Sequence, residues 1–315
     1  MTISSLAVLV SFVLNFLSVT GAPAVTQAGA QPPAMPAAYQ AVLTSLGRSG
    51  DFKDNVLKVN LGRSDLKVAI NGRAVPTPLG FGAWLAFTSG TSSGASAKGD
   101  DMSVMMGDLV LTEDQVNPVM SAVLDNGLEV TALHNHFFWE NPRVFYMHVH
   151  GHGALADLTT RIKPAIDLMM KSVAASSPAP SPSAPPQLGF DAAALAKIIG
   201  TAGEQNGLVY KITIGRSDLS VKEMGATINA RMGLNTWAAF TGTADNAVVA
   251  GDVAMLGKEV TPVLTAMRKA GISVVSLHHH MIGTQPDIYF MHYWGEGNAE
   301  TLARGVKSAI DLLGK

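Results

Sequence analysis

The chain contains no cysteine in its 315 residues. That excludes disulfide staples, thiolate metal sites and cysteine nucleophiles, so any metal must be held by nitrogen or oxygen donors. Charge is also sparse. Asp, Glu, Lys and Arg make up 15% of the residues and the formal net charge is −2. Without a basic excess to neutralise phosphates, nucleic acid is not an expected partner. The sequence has no Gly-x-Ser-x-Gly elbow and no nucleotide-binding loop. Serine-hydrolase and ATPase readings fall away with them, and no nucleotide cofactor is expected.

Long apolar runs are missing too, apart from one near the start. Leu6 to Val19 is broken only by Ser11, Asn15 and Ser18. It is too short to span a bilayer comfortably and suits the core of a signal peptide. Small-residue cleavage options follow at Ala22-Pro23-Ala24 and Ala28-Gly29-Ala30. No Lys or Arg precedes the run, and the first basic residue is Arg48. The Pro/Ala/Gln stretch that follows favours an export signal over residues 1–30 rather than a buried N-terminal helix. The expectation is an exported protein, periplasmic or secreted, with no stable membrane span after signal removal.

What is present is repetition. Hydrophobic residues reach 47%, enough for a substantial core. Gly62-Arg63-Ser64-Asp65-Leu66 returns as Gly215-Arg216-Ser217-Asp218-Leu219, and Trp84 to Thr88 returns as Trp237 to Thr241, both at a spacing of 153. The spacing falls to 144 from Gly107-Asp108 and its copy Gly251-Asp252 onwards. The first copy therefore carries an insertion near Ser89 to Asp101, with the composition of an exposed loop. Residues 175–187 are dense in Pro, Ser and Ala and read as a linker. The organisation expected is a first repeat domain over 36–174 and a second over 188–315.

Each copy shows the same pattern. A short helix (Ala38 to Leu46, Asp191 to Ile199) precedes strands at Leu57 to Leu61 and Tyr210 to Ile214. Others follow at Lys67 to Ile70 and Thr227 to Asn229, then near Trp84 and Trp237, and near Val104 and Val248. A helix with proline in its first turn follows, Pro118 to Asn126 and Pro262 to Ala270, stopped by Gly127 and Gly271. Two strands then bracket a turn, Leu128 to His136 with Val144 to His150, and Ile272 to His280 with Ile288 to Trp294. A helix closes each copy, Ala154 to Met170 and Ala299 to Leu313. The fold class expected is α+β: two homologous domains, each a mostly antiparallel sheet with helices packed on one face.

All nine histidines lie in the two bracketed hairpins. His134, His136 and His148 recur 144 residues later as His278, His280 and His292. Alternate strand residues share a face, so His134 pairs with His136 in direction and His148 with His150. A hairpin closing about Asn141 would set His134 opposite His148, and three imidazoles would converge in each half. Three nitrogen ligands plus an open position is a pattern of catalytic zinc and related sites. The metal ligands expected are His134, His136, His148 and His150 in the first copy and His278, His280 and His292 in the second. Asp108, Asp252 and Glu140 are candidates to orient them. The copies differ in that His150 becomes Trp294 and His152 becomes Glu296. The first copy is thus the richer in ligands and the expected working site, the second a degenerate or retuned one. Asp65 and Asp218 could pair with the arginine two residues before, and Trp84 and Trp237 read as core.

These residues resemble the LppY/LpqO-like family, bacterial proteins whose shared domain is of unknown function. The resemblance rests on Gly107-Asp108, Asn117-Pro118-Val119, Ala132 to His136, Pro142-Arg143, Phe145 to His148, Gly151 and Gly153. In the second copy it rests on Gly251-Asp252, Thr261-Pro262-Val263, Leu277 to His280, Pro286 and Phe290 to Gly297. Mycobacterial members look like lipoproteins, but with no cysteine here lipid anchoring does not carry over; the resemblance implies export without an anchor and supplies no activity. The leading reading is an exported protein binding a divalent metal, zinc, copper or iron. Its partner would be that ion or a small molecule, and oligomeric state is open. The alternatives are a metal-dependent hydrolase or oxygenase using the first histidine cluster, and a non-catalytic envelope module that binds a ligand or partner.

Overall fold

The computed structural model describes residues 34–90, 102–171 and 186–315. The expected signal over 1–30, most of the Ser89 to Asp101 insertion and nearly all of the 175–187 linker lie outside the described residues. Residues 34–315 form one compact unit.

The first copy runs α1 (Ala37–Leu46), β1 (Gly50–Lys53), β2 (Val56–Gly62), β3 (Ala69–Ile70), β4 (Arg73–Ala74), β5 (Gly82–Ser89), β6 (Ser103–Thr112), α2 (Glu113–Asp125), β7 (Glu129–His134), β8 (Glu140–Asn141), β9 (Val144–Gly153) and α3 (Leu155–Met170). The second runs α4 (Ala192–Ile199), β10 (Glu204–Asn206), β11 (Val209–Gly215), β12 (Val221–Glu223), β13 (Ala226–Ile228), β14 (Asn235–Gly242), β15 (Ala247–Leu256), α5 (Gly257–Lys269), β16 (Ser273–His278), β17 (Ile288–Gly297) and α6 (Ala299–Ile310). Each copy builds one antiparallel six-stranded sheet, in the order β1-β2-β5-β6-β9-β7 and β10-β11-β14-β15-β17-β16. The fold is α+β with mostly antiparallel sheets, as the alternation of short strands and helices suggests.

The central strands β6 and β15 are buried along almost their whole length, because both of their faces are covered. On one face α2 and α3, or α5 and α6, pack onto the sheet. Phe87, Leu109 and Met147 belong to that core in the first copy, and Phe240, Val253 and Met291 to its counterpart in the second. Each such side chain contributes about 1.5–3 kcal/mol by leaving water. The other face meets the opposite copy. Val56, Ala86, Val104 and Met106 cluster there with Val221, Ile228, Met232, Leu234 and Phe290. The Thr131 hydroxyl donates to the carbonyl of His280 across the same boundary (2.8 Å).

Three local expectations are corrected. The helices after β6 and β15 begin at Glu113 and Gly257, so Pro118 and Pro262 sit in the second turn. In the first copy a capping box between Thr112 and Gln115 starts the helix ahead of the proline. The extended segments expected at Lys67 to Ile70 and Thr227 to Asn229 do not join the main sheets. They form small separate ones, β4-β3-β8 and β12-β13. The histidine hairpin closes two residues out of the expected register: His134 pairs with Tyr146, and His148 with Ala132. An irregularity between Val130 and Ala132 absorbs one residue, and the connection spends Glu140-Asn141 on pairing with β3. Asp191, as anticipated, caps its helix by accepting from the amides of Ala193 and Ala194.

Candidate metal centre

Cross-strand pairing places the polar side chains of one sheet face in a row. Asn60 opposes Trp84, Trp84 opposes Asp108, and Asp108 opposes His148. The second sheet repeats the row with Thr213, Trp237, Asp252 and His292. Lys58 and Lys211 stand two residues before Asn60 and Thr213, so they share that face. Asp108 and Asp252 are therefore interior to their strands. The two rows meet between the copies.

The six histidines retained in both copies do not form one cluster per half. They form a single cluster shared by both. The rings of His134 and His278 lie 3.8 Å apart between centroids, those of His136 and His292 3.6 Å, and those of His148 and His280 4.0 Å. Exchanging the copies maps each pair onto itself or onto another, so the cluster has approximate twofold symmetry. All six rings are buried. His136 lies against Tyr146 and His280 against Phe290, which fills the space behind each ring.

Four of the rings are oriented by backbone carbonyls. Nδ1 of His136 meets Gly80 O at 3.1 Å, and Nδ1 of His148 meets Gly107 O at 3.2 Å. His280 and His292 repeat this on Gly233 O (3.2 Å) and Gly251 O (3.1 Å). A carbonyl only accepts, so Nδ1 carries the proton and Nε2 keeps its lone pair. The glycine before Asp252 is demanded by space: a Cβ there would stand 2.2 Å from the Trp237 carbonyl oxygen. Gly233 has φ +100°, a left-handed conformation that places its carbonyl beside His280.

Nε2 of His136, His148, His280 and His292, both ring nitrogens of His134 and His278, and Oδ1 of Asp108 and Asp252 lack hydrogen bonds among the described residues. Asp252 Oδ2 approaches His280 Nε2 at 3.4 Å and His292 Nε2 at 4.0 Å, and Asp108 Oδ2 approaches His136 Nε2 at 3.8 Å. Burial, reinforced by neighbouring imidazoles, holds His134, His136, His148 and His278 well below the usual histidine pKa. Burial takes His280 down to about 3 and His292 to about 4. It pushes both carboxyls up, Asp108 further because Asp252 is near. Near neutrality the rings are thus uncharged donors. Ligand atoms of His134, His136 and His292 lie within 4.8 Å of one another; so do those of His134, His148 and His278, and those of Asp252, His278 and His280.

The other candidates lie elsewhere. His150 leaves the central cluster: its Nε2 stands 2.7 Å from Glu223 Oε1 and its Nδ1 3.5 Å from Glu129 Oε2. With Glu129 and His152 it forms a separate, outer group of possible ligands. Trp294 replaces it in the second copy and donates from Nε1 to Glu296 (2.9 Å). His279 turns away to the carbonyl of Ile288. Glu140 accepts from Asn135 Nδ2 (3.1 Å) and braces the turn; burial raises its carboxyl to about 7. Asp65 and Asp218 each take a two-pronged ion pair from the buried arginine two residues before.

Two functional candidates escaped the sequence reading. Lys58 and Lys211 are half-buried and lie over the rings of Trp84 (4.3 Å) and Trp237 (4.2 Å). Desolvation, helped by Lys211, takes Lys58 to about 7, and desolvation takes Lys211 to about 8. With Asp108, Asp252, His136 and His280 they line a cavity of about 590 Å³. The signal was available: a lysine recurring at the 153-residue spacing inside an apolar strand, Leu57-Lys58-Val59 and Tyr210-Lys211-Ile212. The tryptophans are accordingly cavity walls as much as core.

The profile of one protein family, described as Domain of Unknown Function (DUF1259), matches residues 40–168 and again residues 193–312. No curated protein matches the chain in sequence. Among solved structures, a double-ringed trimeric shell protein of the RMM microcompartment matches at 10% identity over 70% of this chain and 86% of its own, with a TM-score of 0.17. A fused permuted hexameric shell protein of the same microcompartment matches at 13% identity over 73% and 94%, with a TM-score of 0.18. EtuB from Clostridium kluyveri matches at 10% identity over 76% and 89%, with a TM-score of 0.17.

Proposed function

We propose that this chain, which belongs to the Domain of Unknown Function (DUF1259) family, is an exported metal-binding protein whose two copies share one binuclear centre. The observation that carries the reading is the set of inward imidazole nitrogens, buried and without hydrogen-bond partners, four of them on rings braced through Nδ1. An unsatisfied buried polar group costs about 1–3 kcal/mol, and so many around one point are stable only if something ligates them. The brace from a ring N–H to a carbonyl is how proteins hold metal-bound histidines.

The group His134, His136 and His292, taken through the approximate twofold, gives two symmetric donor sets. The first is His134 and His136 with His292 and Asp108; the second is His278 and His280 with His148 and Asp252. Each has three nitrogens and one carboxylate, enough for a four-coordinate ion. Nitrogen-rich sets suit zinc, iron or copper better than calcium or magnesium. The export reading rests on the apolar N-terminal run, and the LppY/LpqO likeness on the recurring His-x-His and Met-His motifs. A catalytic use of the same centre is favoured by one further observation: the cavity of about 590 Å³ reaches the imidazoles and gives a small molecule an approach.

Elemental analysis of protein purified without a histidine tag tests the reading. Wild type is expected to hold close to two metal ions. Because the centre is shared, His134→Ala/His136→Ala and His278→Ala/His280→Ala are each expected to lose most of the metal. Wild type holding less than about 0.2 equivalents after metal addition, where so many ligands should bind far more tightly, sinks it.

A further inference from the structure

Lys58 and Lys211 are not explained by metal binding. Both are half-buried; a lysine is costly to withdraw from water even in part, and it is tolerated when its charge meets a partner. Among the described residues neither amine makes a hydrogen bond or a salt bridge; each rests on a tryptophan face instead. Both line the cavity that also exposes Asp108, Asp252 and four of the histidines.

Charge balance says what is missing. The chamber's four basic and four acidic lining residues cancel, and metal-bound imidazoles add no charge. Two divalent cations then bring four uncompensated positive charges to a half-open pocket lined about equally by polar and apolar surface. Uncompensated charge of one sign is strongly unfavourable where water is scarce, so the loaded chamber attracts anions. The flanking Trp84 and Trp237 give the rest of a ligand two flat apolar walls.

We infer that the chamber binds a small anion, a dicarboxylate or a phosphate, with its charge on Lys58 and Lys211 and its body between Trp84 and Trp237 beside the metal centre. This rests on the metal reading above. The two lysines are related by the same approximate twofold symmetry as the histidines, which suits a ligand with negative oxygens at both ends. It also makes the ligand a candidate substrate for the ions behind it, since its oxygens would lie between the amines and the imidazole nitrogens. A carboxylate or phosphate meets the need of both: it accepts hydrogen bonds from the amines and offers oxygen to a metal.

The experiment is calorimetric titration of the metal-loaded protein with succinate and with inorganic phosphate, against uncharged 1,4-butanediol, with metal content measured on each sample. Wild type is expected to bind at least one of the two anions and not the diol. Lys58→Met/Lys211→Met keeps length and apolar bulk, is expected to retain its metal, and should bind the anion at least about tenfold more weakly, the loss of one charged hydrogen bond or more. Single variants, each expected to show an intermediate loss, serve if the double variant does not fold. Metal-loaded wild type that binds neither anion overturns the inference, as does full anion affinity in the lysine variants. Wild type that takes up no metal yet binds an anion, with the lysine variants weaker, would overturn the metal reading and leave the anion site standing.

Discussion

The two copies agree at the centre they share and differ around it, even where they still touch: His150 reaches Glu223 of the second copy, and Trp294 packs on Phe137 of the first. At the shared centre, His134, His136, His148, Asp108, Lys58 and Trp84 have His278, His280, His292, Asp252, Lys211 and Trp237 as counterparts. One strand step outward, His150 has become Trp294 and His152 has become Glu296. Beneath the sheet, buried Glu259 holds Arg216 with two contacts (2.8 and 3.1 Å), where Gln115 gives Arg63 a single one (2.9 Å). Identity thus follows the approximate twofold centre and not the hairpin, which is why the richer histidine content of the first hairpin misleads. His150 answers to Glu129 and Glu223, not to the other imidazoles.

The largest contrast should come from the arginines. Arg216→Ala strands the buried Glu259 carboxylate and should cost about 3–5 kcal/mol; Arg63→Ala leaves a neutral amide in that place and should cost clearly less. Urea unfolding of both variants checks the order, and equal losses would erase the difference drawn between the copies. Next comes metal stoichiometry. His134→Ala and His278→Ala sit on the twofold and should lower bound metal to the same extent; a loss confined to the first variant would restore an unequal pair of independent sites.

Acid sharpens the agreement between copies. His280 and His292 bind protons less readily folded (about 3 and 4) than unfolded (6.5). The unfolded chain therefore takes up more protons below about pH 6.5, and the stability these rings contribute is full above that value and lost as the pH falls towards 4. The raised carboxyls of Asp108 and Asp252 act in the opposite sense but are outnumbered. Melting of metal-free protein from pH 7 to 4 should show a falling midpoint, and His148→Ala and His292→Ala should flatten that slope alike. The smallest effect expected is at the outer position. His150→Ala and Trp294→Ala should leave central metal content unchanged in elemental analysis, and a large loss in either would extend the centre beyond the six shared rings.

Fold class and the succession of elements along the chain followed from short alternating segments and from the repeat itself, and the helix stops at Gly127 and Gly271 fell where glycine punctuation put them. The starts of those two helices did not; in the first, the capping residues Thr112 and Gln115 outrank a proline that a second helical turn tolerates. The six central histidines stood out as ligand candidates, since few residue types carry so specific a chemistry. Their meeting across the copies was invisible: strand periodicity assigns a side chain to a face but not the partner of that face. The lysines were missed for a related reason. A charge inside an apolar strand reads as an edge or a snorkelling side chain until the opposite wall is known.

The Thr131 hydroxyl on the His280 carbonyl and the rings interleaved at the boundary imply that neither copy is self-sufficient. Half of this chain would carry half of the histidine cluster, so a single-copy relative would need to associate with itself to complete one. Tandem fusion makes that encounter permanent, and it lets the margins drift apart while the shared axis stays matched.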